Sequence, residues 1–186
     1  MSPSSMSGKP EPLARRMRLR EFQAQLAQRV KIAQNSTERS INQLGVLIAD
    51  THCLFDLQQT SEITPVHSIT AVPLAQDWYL GLSNIRGNLV GVVDFARFLG
   101  QPTTPINAEC RIVVFSRGLS LHGSVLVPRV LGLRSAQQMT PACESDAPSA
   151  LSPWATQYYR DDQSVLWTQI DLAALVQDAR FLQIGS

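Results

Sequence analysis

The 186-residue sequence predicts a mainly β fold of two small barrels, each ending in a short capped helix, with an amphipathic helix before them. Short β-rich runs alternate with eleven prolines and ten glycines, a pattern typical of barrels and sandwiches. A strand–Asp–helix pattern occurs twice, which indicates duplication. A third observation is a helix-favouring segment, free of Gly and Pro, that precedes the first predicted strand.

The composition narrows the function classes. The chain is 44% hydrophobic and 17% charged, with a net charge of +1, so it can form its own core and is not a disordered protein. Three cysteines occur without a C-x-x-C pair, which favours reduced thiols over a disulfide framework. No secretory signal and no long apolar run is visible. We expect a cytoplasmic protein that does not insert into a membrane, with no cofactor, no metal and no dedicated nucleic-acid surface.

The N-terminal region differs from the rest in charge and pattern. Residues 1–34 hold seven basic and two acidic side chains, a net charge of +5, whereas residues 35–186 hold nine and thirteen, a net charge of −4. Residues 1–12 predict a mobile tail, and Leu13–Gln34 predicts a helix by composition. The helix could dock on its own domain, on a partner, or on nucleic acid or an anionic membrane. Its apolar stripe comprises Leu19, Phe22, Leu26, Val30 and Ala33.

The remaining residues, 35–186, predict the barrels. Apolar residues alternate over 44–48 and again over 53–57, which predicts a hairpin with its turn at Asp50-Thr51. Further β-rich runs predict four more strands, and a longer loop is expected at 136–153. Those four strands are Asn88–Val93, Arg111–Phe115, Leu119–Val127 and Ser164–Ile170.

The repeated pattern organises these strands into two halves. VVDFARFLG (Val92–Gly100) and QIDLAALVQ (Gln169–Gln177) share an apolar strand, an aspartate and a short apolar helix. Asp94 and Asp171 are placed to cap those helices through their carboxylates. Residues 101–109, with two prolines, are expected to connect the two halves.

Catalytic patterns are missing from the sequence. The stretch around Ser83 begins like a nucleophile elbow but lacks its second glycine. His52, His67 and His122 have no partners at metal-ligand spacing, and no phosphate-binding loop occurs. These observations predict a protein that is not an enzyme, although a site assembled from distant segments leaves no pattern in a sequence.

One stretch resembles a known family. Gly81–Gly100, GLSNIRGNLVGVVDFARFLG, resembles the signature of CheW-like chemotaxis coupling domains, with Phe95 for the usual leucine. Glu62-Ile63 followed by Thr70–Pro73, and then Gly123–Met139, are similar to flanking family segments. Pro128 replaces an acidic residue common in the family. The resemblance covers about 44–182 and is strongest to the type IV pilus (twitching motility) branch, with flagellar chemotaxis coupling as the alternative.

The resemblance implies a fold and a role. The family fold consists of two SH3-like, five-stranded β-barrels. The role would be that of a non-enzymatic adaptor between a CheA-type histidine kinase and the cytoplasmic tip of a methyl-accepting chemoreceptor. Such a protein would be recruited to polar, membrane-associated chemosensory arrays. An apolar groove between the barrels would take the helical receptor tip.

The resemblance also implies a partner-binding surface around the motif. Gly81 and Gly87 would adopt backbone geometries that other residues resist, and Asn84 would fix the turn. Arg86 would be either an exposed contact or a brace for the interface loop. The other expected interface residues are Glu62, facing the kinase, with the apolar Ile63 and Val66, while Val92 and Val93 fit the core better than the interface.

Overall fold

Twelve strands in two sheets and three one-turn helices make up the computed structural model, which describes residues 43–143, 151 and 153–185. The predicted tail, the predicted helix over Leu13–Gln34, and residues 144–150 and 152 of the predicted loop lie outside the described residues. No helix among the described residues is long and apolar enough to cross a membrane.

The strands are β1 (Gln43–Ile48), β2 (Thr51–Asp56), β3 (Thr60–Pro65), β4 (Ile69–Thr70), β5 (Tyr79–Ile85), β6 (Asn88–Asp94), β7 (Arg111–Phe115), β8 (Gly123–Val127), β9 (Arg129–Arg134), β10 (Thr140–Pro141), β11 (Ala155–Arg160) and β12 (Leu166–Ile170). The helices are α1 (Phe95–Phe98), α2 (Leu172–Leu175) and α3 (Ala179–Leu182), with 3₁₀ turns at Leu57–Gln59 and Ala136–Gln138.

The strand predictions hold where apolar residues alternate. The β1–β2 hairpin is confirmed, with its turn one residue earlier than predicted, at Ala49-Asp50, where both residues have positive φ. The strand predicted over Leu119–Val127 was too long. The strand begins at Gly123, because the residues before it form a bend between β7 and β8.

The two sheets have matching strand orders, which confirms a mainly β, two-part fold. One sheet has the order β10-β11-β12-β2-β1-β9, and the other has β4-β5-β6-β8-β7-β3. Each contains five strands of five to seven residues and one edge strand of two residues. The order of the second sheet therefore becomes that of the first when each strand number is raised or lowered by six.

This correspondence shows that the two halves exchange hairpins. The β1–β2 hairpin pairs with β9 and β12 of the other half, and the β7–β8 hairpin pairs with β3 and β6. The sequence predicted that residues 101–109 connect two self-contained halves. In the structure they join β6 to β7, which belong to the same sheet. Periodicity reveals which residues form strands, but the partner of each strand is decided by long-range burial.

The repeated strand–Asp–helix unit also includes a tryptophan. The backbone amide of Asp94 donates to the carbonyl of Trp78 at 2.8 Å, and that of Asp171 donates to the carbonyl of Trp154 at 2.9 Å. Both aspartates cap their helices as predicted. Asp94 accepts from the amide of Arg97 at 3.3 Å, and Asp171 accepts from that of Ala173 at 2.9 Å.

Aromatic side chains join the two halves in one core. Phe98 packs edge-on against Trp78, with ring centroids 5.1 Å apart, and lies 5.5 Å from Trp154 of the other half. Val92 and Val93 are buried, as expected from their place in β6. Burying one large apolar side chain contributes about 1.5–3 kcal/mol, so these shared contacts hold the sheets together.

Candidate functional site

The β5–β6 hairpin carries the family motif on a tight turn. Arg86 and Gly87 join the strands with φ of +49° and +83°, and Ile85 pairs with Asn88 across the turn. Positive φ at both central residues is the geometry that matches the twist of a hairpin. The Asn84 Oδ1 accepts a hydrogen bond from the Gly87 amide at 2.9 Å, so this side chain fixes the turn.

Gly81 serves a different purpose from Gly87. It is buried in β5 at φ +130°, and a Cβ built on it would lie 2.1 Å from the carbonyl oxygen of Thr70 in β4. Only glycine lets β4 approach β5 this closely. A Cβ on Gly87 would meet no heavy atom within 4 Å. Gly81 is therefore a packing requirement, whereas Gly87 is a requirement of the turn alone.

An ion pair links the motif turn to β3. The Arg86 Nε lies 2.9 Å from the Glu62 Oε1, with side-chain exposures of 80% and 23%. Because β3 is an edge strand and β6 lies three strands away in the same sheet, the sheet must curve to bring them together. An exposed ion pair contributes about 0–1 kcal/mol, so folding stability alone does not account for it.

The ion pair borders a surface pocket of about 240 Å³. Its floor is apolar and includes Ile85, Val90 and Phe115, each 4% exposed. Its rim is polar. The rim carries Glu62 from β3, Arg86 and Asn88 from the β5–β6 hairpin, and Ser116, Arg117 and His122 from the segment between β7 and β8.

A second, apolar groove of about 110 Å³ adjoins this pocket. It is lined by Leu82, Leu89, Phe181 and Ile184, among others, and shares Leu121, His122 and Gly123 with the first pocket. Leu89 is 63% exposed although it belongs to β6. The two cavities thus form one continuous surface across the motif sheet.

The predicted site residues take different positions around this surface. Glu62 and Arg86 meet at the pocket, and Ile63 is exposed beside Glu62 on β3. Val66 packs against the smaller apolar cluster beneath the motif hairpin, so it is partly buried. The sequence marked neither Arg117 nor His122 as a pocket residue: His122 was considered only as a metal ligand, and Arg117 belongs to a turn-forming Arg117-Gly118 pair.

The residues considered for chemistry are not arranged for it. Ser83 lies inside β5, 1% exposed, so its hydroxyl cannot reach a substrate. Cys53 is fully buried, and burial raises the pKa of its thiol, which disfavours the reactive thiolate. Among the described residues, no three His, Cys, Asp or Glu side chains are placed to hold a metal ion.

Comparison with known proteins identifies the family. A model of the CheW-like domain matches residues 43–180, which span both sheets and the motif hairpin. The chain belongs to the CheW-like domain family. A curated relative, Protein PilI of Pseudomonas aeruginosa, is 23% identical over 158 residues, covering 82% of this chain and 85% of the relative.

A solved structure shows the same fold for this CheW-like domain. The crystal structure of the scaffolding protein TtCheW from Thermoanaerobacter tengcongensis matches with a TM-score of 0.61 at 17% identity. The match covers 75% of this chain and 95% of that protein. The β5–β6 hairpin, which carries the sequence motif, is thus part of a CheW-like fold.

Proposed function

We propose that this CheW-like domain is a non-enzymatic adaptor that couples a methyl-accepting chemoreceptor to a CheA-type histidine kinase. The similarity to PilI favours a place in a chemosensory pathway that regulates type IV pili and twitching motility. The observation that carries the proposal is the motif turn. It holds Arg86 outward, 80% exposed, beside a pocket with an apolar floor.

The arrangement supports binding better than chemistry. The pocket combines buried apolar residues with a charged, exposed rim, and this is the anatomy of protein interaction sites. The Glu62–Arg86 pair fixes the position of the rim relative to β3. Partner side chains could enter the pocket while the turn keeps its conformation, because Asn84 holds it from within the hairpin.

Reconstitution tests the proposal. The purified chain, a CheA-type kinase and a receptor signalling fragment are mixed, and phosphate incorporation into the kinase is measured with each component omitted in turn. We expect kinase activity to change only when all three are present. Unchanged kinase activity in the complete mixture, together with no co-sedimentation of the three, would reject the adaptor role.

A matched pair of variants locates the contact. Arg86→Glu should abolish the change in kinase activity, because it places a negative charge beside Glu62 and at the rim. Arg129→Glu is the control, since Arg129 is also an exposed arginine paired with a glutamate, Glu109, at 2.5 Å. Equal loss in both variants would show that charge in general, and not the motif turn, matters.

A further inference from the structure

We propose that the pocket beside Glu62 and Arg86 binds an acidic segment of a partner protein. An apolar side chain of that segment fills the pocket, and its carboxylates pair with Arg117 and Arg86. This inference rests on the proposed function, because it specifies the partner chemistry of the same surface. It is carried by Arg117, by the charge of the rim and by the size of the pocket.

Arg117 is the arginine without a partner among those in the described ranges. The others pair with carboxylates, donate to backbone carbonyls or stack on an aromatic ring. Ion pairs hold Arg86, Arg97, Arg129 and Arg180, carbonyls hold Arg111 and Arg160, and the Trp167 ring holds Arg134. An exposed guanidinium at the mouth of a pocket leaves five N–H donors for an incoming acceptor.

Arg86 can also donate hydrogen bonds to a partner. Its contact with Glu62 runs through Nε, and a guanidinium has more donors than one carboxylate can take. The rim therefore has two cations against one anion, on a region (35–186) whose net charge is −4. The rim is thus a locally positive patch on a region that holds more acidic than basic side chains, and it attracts carboxylates.

The pocket's size favours a protein side chain over a free metabolite. Its volume of about 240 Å³ is below the roughly 300–1,000 Å³ of typical small-molecule sites. The buried Val90 and Phe115 in its floor suit a leucine or phenylalanine. The adjoining apolar groove continues the surface past Leu121, so a second apolar residue of the segment has a place to lie.

The test uses a defined peptide and the full chain. The ¹⁵N-labelled protein is titrated with acetyl-Glu-Glu-Leu-Phe-Glu-Glu-amide, and amide shifts are followed by NMR. We expect the largest shifts at Arg117, His122 and Val90, with affinity falling as salt rises. The matched peptide with glutamine for every glutamate should bind about tenfold more weakly, because two ion pairs are lost.

Two variants decide the assignment. Arg117→Ala should weaken the acidic peptide about threefold to fivefold, as expected for one exposed ion pair, while Arg129→Ala should leave its affinity unchanged. Equal binding of both peptides, shifts away from the pocket, or no effect of Arg117→Ala would overturn the inference. Neither kinase nor receptor is present, so these outcomes are independent of the reconstitution that tests the adaptor role.

Discussion

The β5–β6 turn and the β11–β12 turn occupy corresponding places in the two sheets, but they differ in what they do with their charges. In the first, Arg86 extends outward to Glu62 on another strand and borders a pocket. In the second, Asp161 turns inward and accepts hydrogen bonds from its own hairpin. Its donors are the amides of Gln163 at 3.0 Å and Val165 at 2.9 Å and the Trp167 Nε1 at 2.9 Å.

Under the proposed function, the turn in one half contributes to stability, and the corresponding turn in the other half contacts a partner. A turn whose charge is satisfied by three local donors has little left for a partner. A turn that satisfies its backbone through Asn84 leaves its cation available. Both hairpins continue into the same strand–Asp–helix unit, so the two turns differ while this part of the core is the same in both halves.

The largest effect is expected at Gly81. The equivalent position in the other sheet is Gln157, since each residue directly follows the register shift in its hairpin. Gly81→Ala should lower the free energy of unfolding by about 4 kcal/mol, since its Cβ would overlap the Thr70 carbonyl. Gly87→Ala, in open space at positive φ, should cost only about 1 kcal/mol. Urea unfolding measures both. Similar costs for the two variants would contradict the close approach of β4.

The two capping aspartates should differ next. Asp94 is fully buried, and Thr104 donates to it from its amide at 2.7 Å and its hydroxyl at 2.8 Å. Asp171 is half-buried and accepts from the Gln59 side chain at 2.7 Å. We expect Asp94→Ala to cost about 3 kcal/mol, because it strands buried donors, and Asp171→Ala about 1–2 kcal/mol. If Asp171→Ala proved the more damaging in urea unfolding, the ranking by burial would fail.

A smaller effect is expected at Asp161. Burial tends to raise the pKa of this carboxyl, but hydrogen bonds from Trp167, Val165 and Gln163 and the charge of Arg134 together hold it below its ordinary value. The stabilisation it provides is present above the unfolded pKa of about 3.9 and is lost as pH falls through the lower folded pKa.

Asp161→Asn should therefore reduce stability by about 1 kcal/mol at neutral pH and by progressively less under acid. Thermal melts of both proteins from neutral pH to about pH 2 measure the difference. Two curves that stay parallel down to the lowest pH would mean that the charge of Asp161 plays no part in holding the β11–β12 turn.

The sequence was informative where burial imposes alternation. The β1–β2 hairpin and β7, which alternate or run apolar, were predicted nearly to the residue. The helices α1 and α2 followed from Asp94 and Asp171, whereas α3, capped by Asp178, was missed. The strands β3, β5, β9 and β11 were missed, and so were the two-residue edge strands β4 and β10. β3 and β11 carry polar, half-exposed side chains, and β5 is interrupted by a glycine that its close packing requires.

The site was predictable in parts only. The motif identified Glu62 and Arg86 separately, but their contact depends on the curvature of a sheet in which they lie strands apart. Arg117 joins them through the β7–β8 hairpin, which belongs to the other half of the repeat. No local pattern records that exchange, because periodicity indicates which residues form strands and not which strands pair.

A charge exchange tests most directly whether the motif turn contacts a partner. Arg86→Glu, Glu62→Arg and the double variant are compared in the reconstituted receptor–kinase mixture, with thermal melts of each chain alone. All three should unfold within about 0.5 kcal/mol of the wild type, since the pair is exposed. We predict that the double variant, which restores an ion pair in reversed polarity, still fails to control the kinase, because the partner's carboxylates would meet Glu in place of Arg86. Recovery of kinase control in the double variant would show that the pair only braces the loop, and would contradict the account.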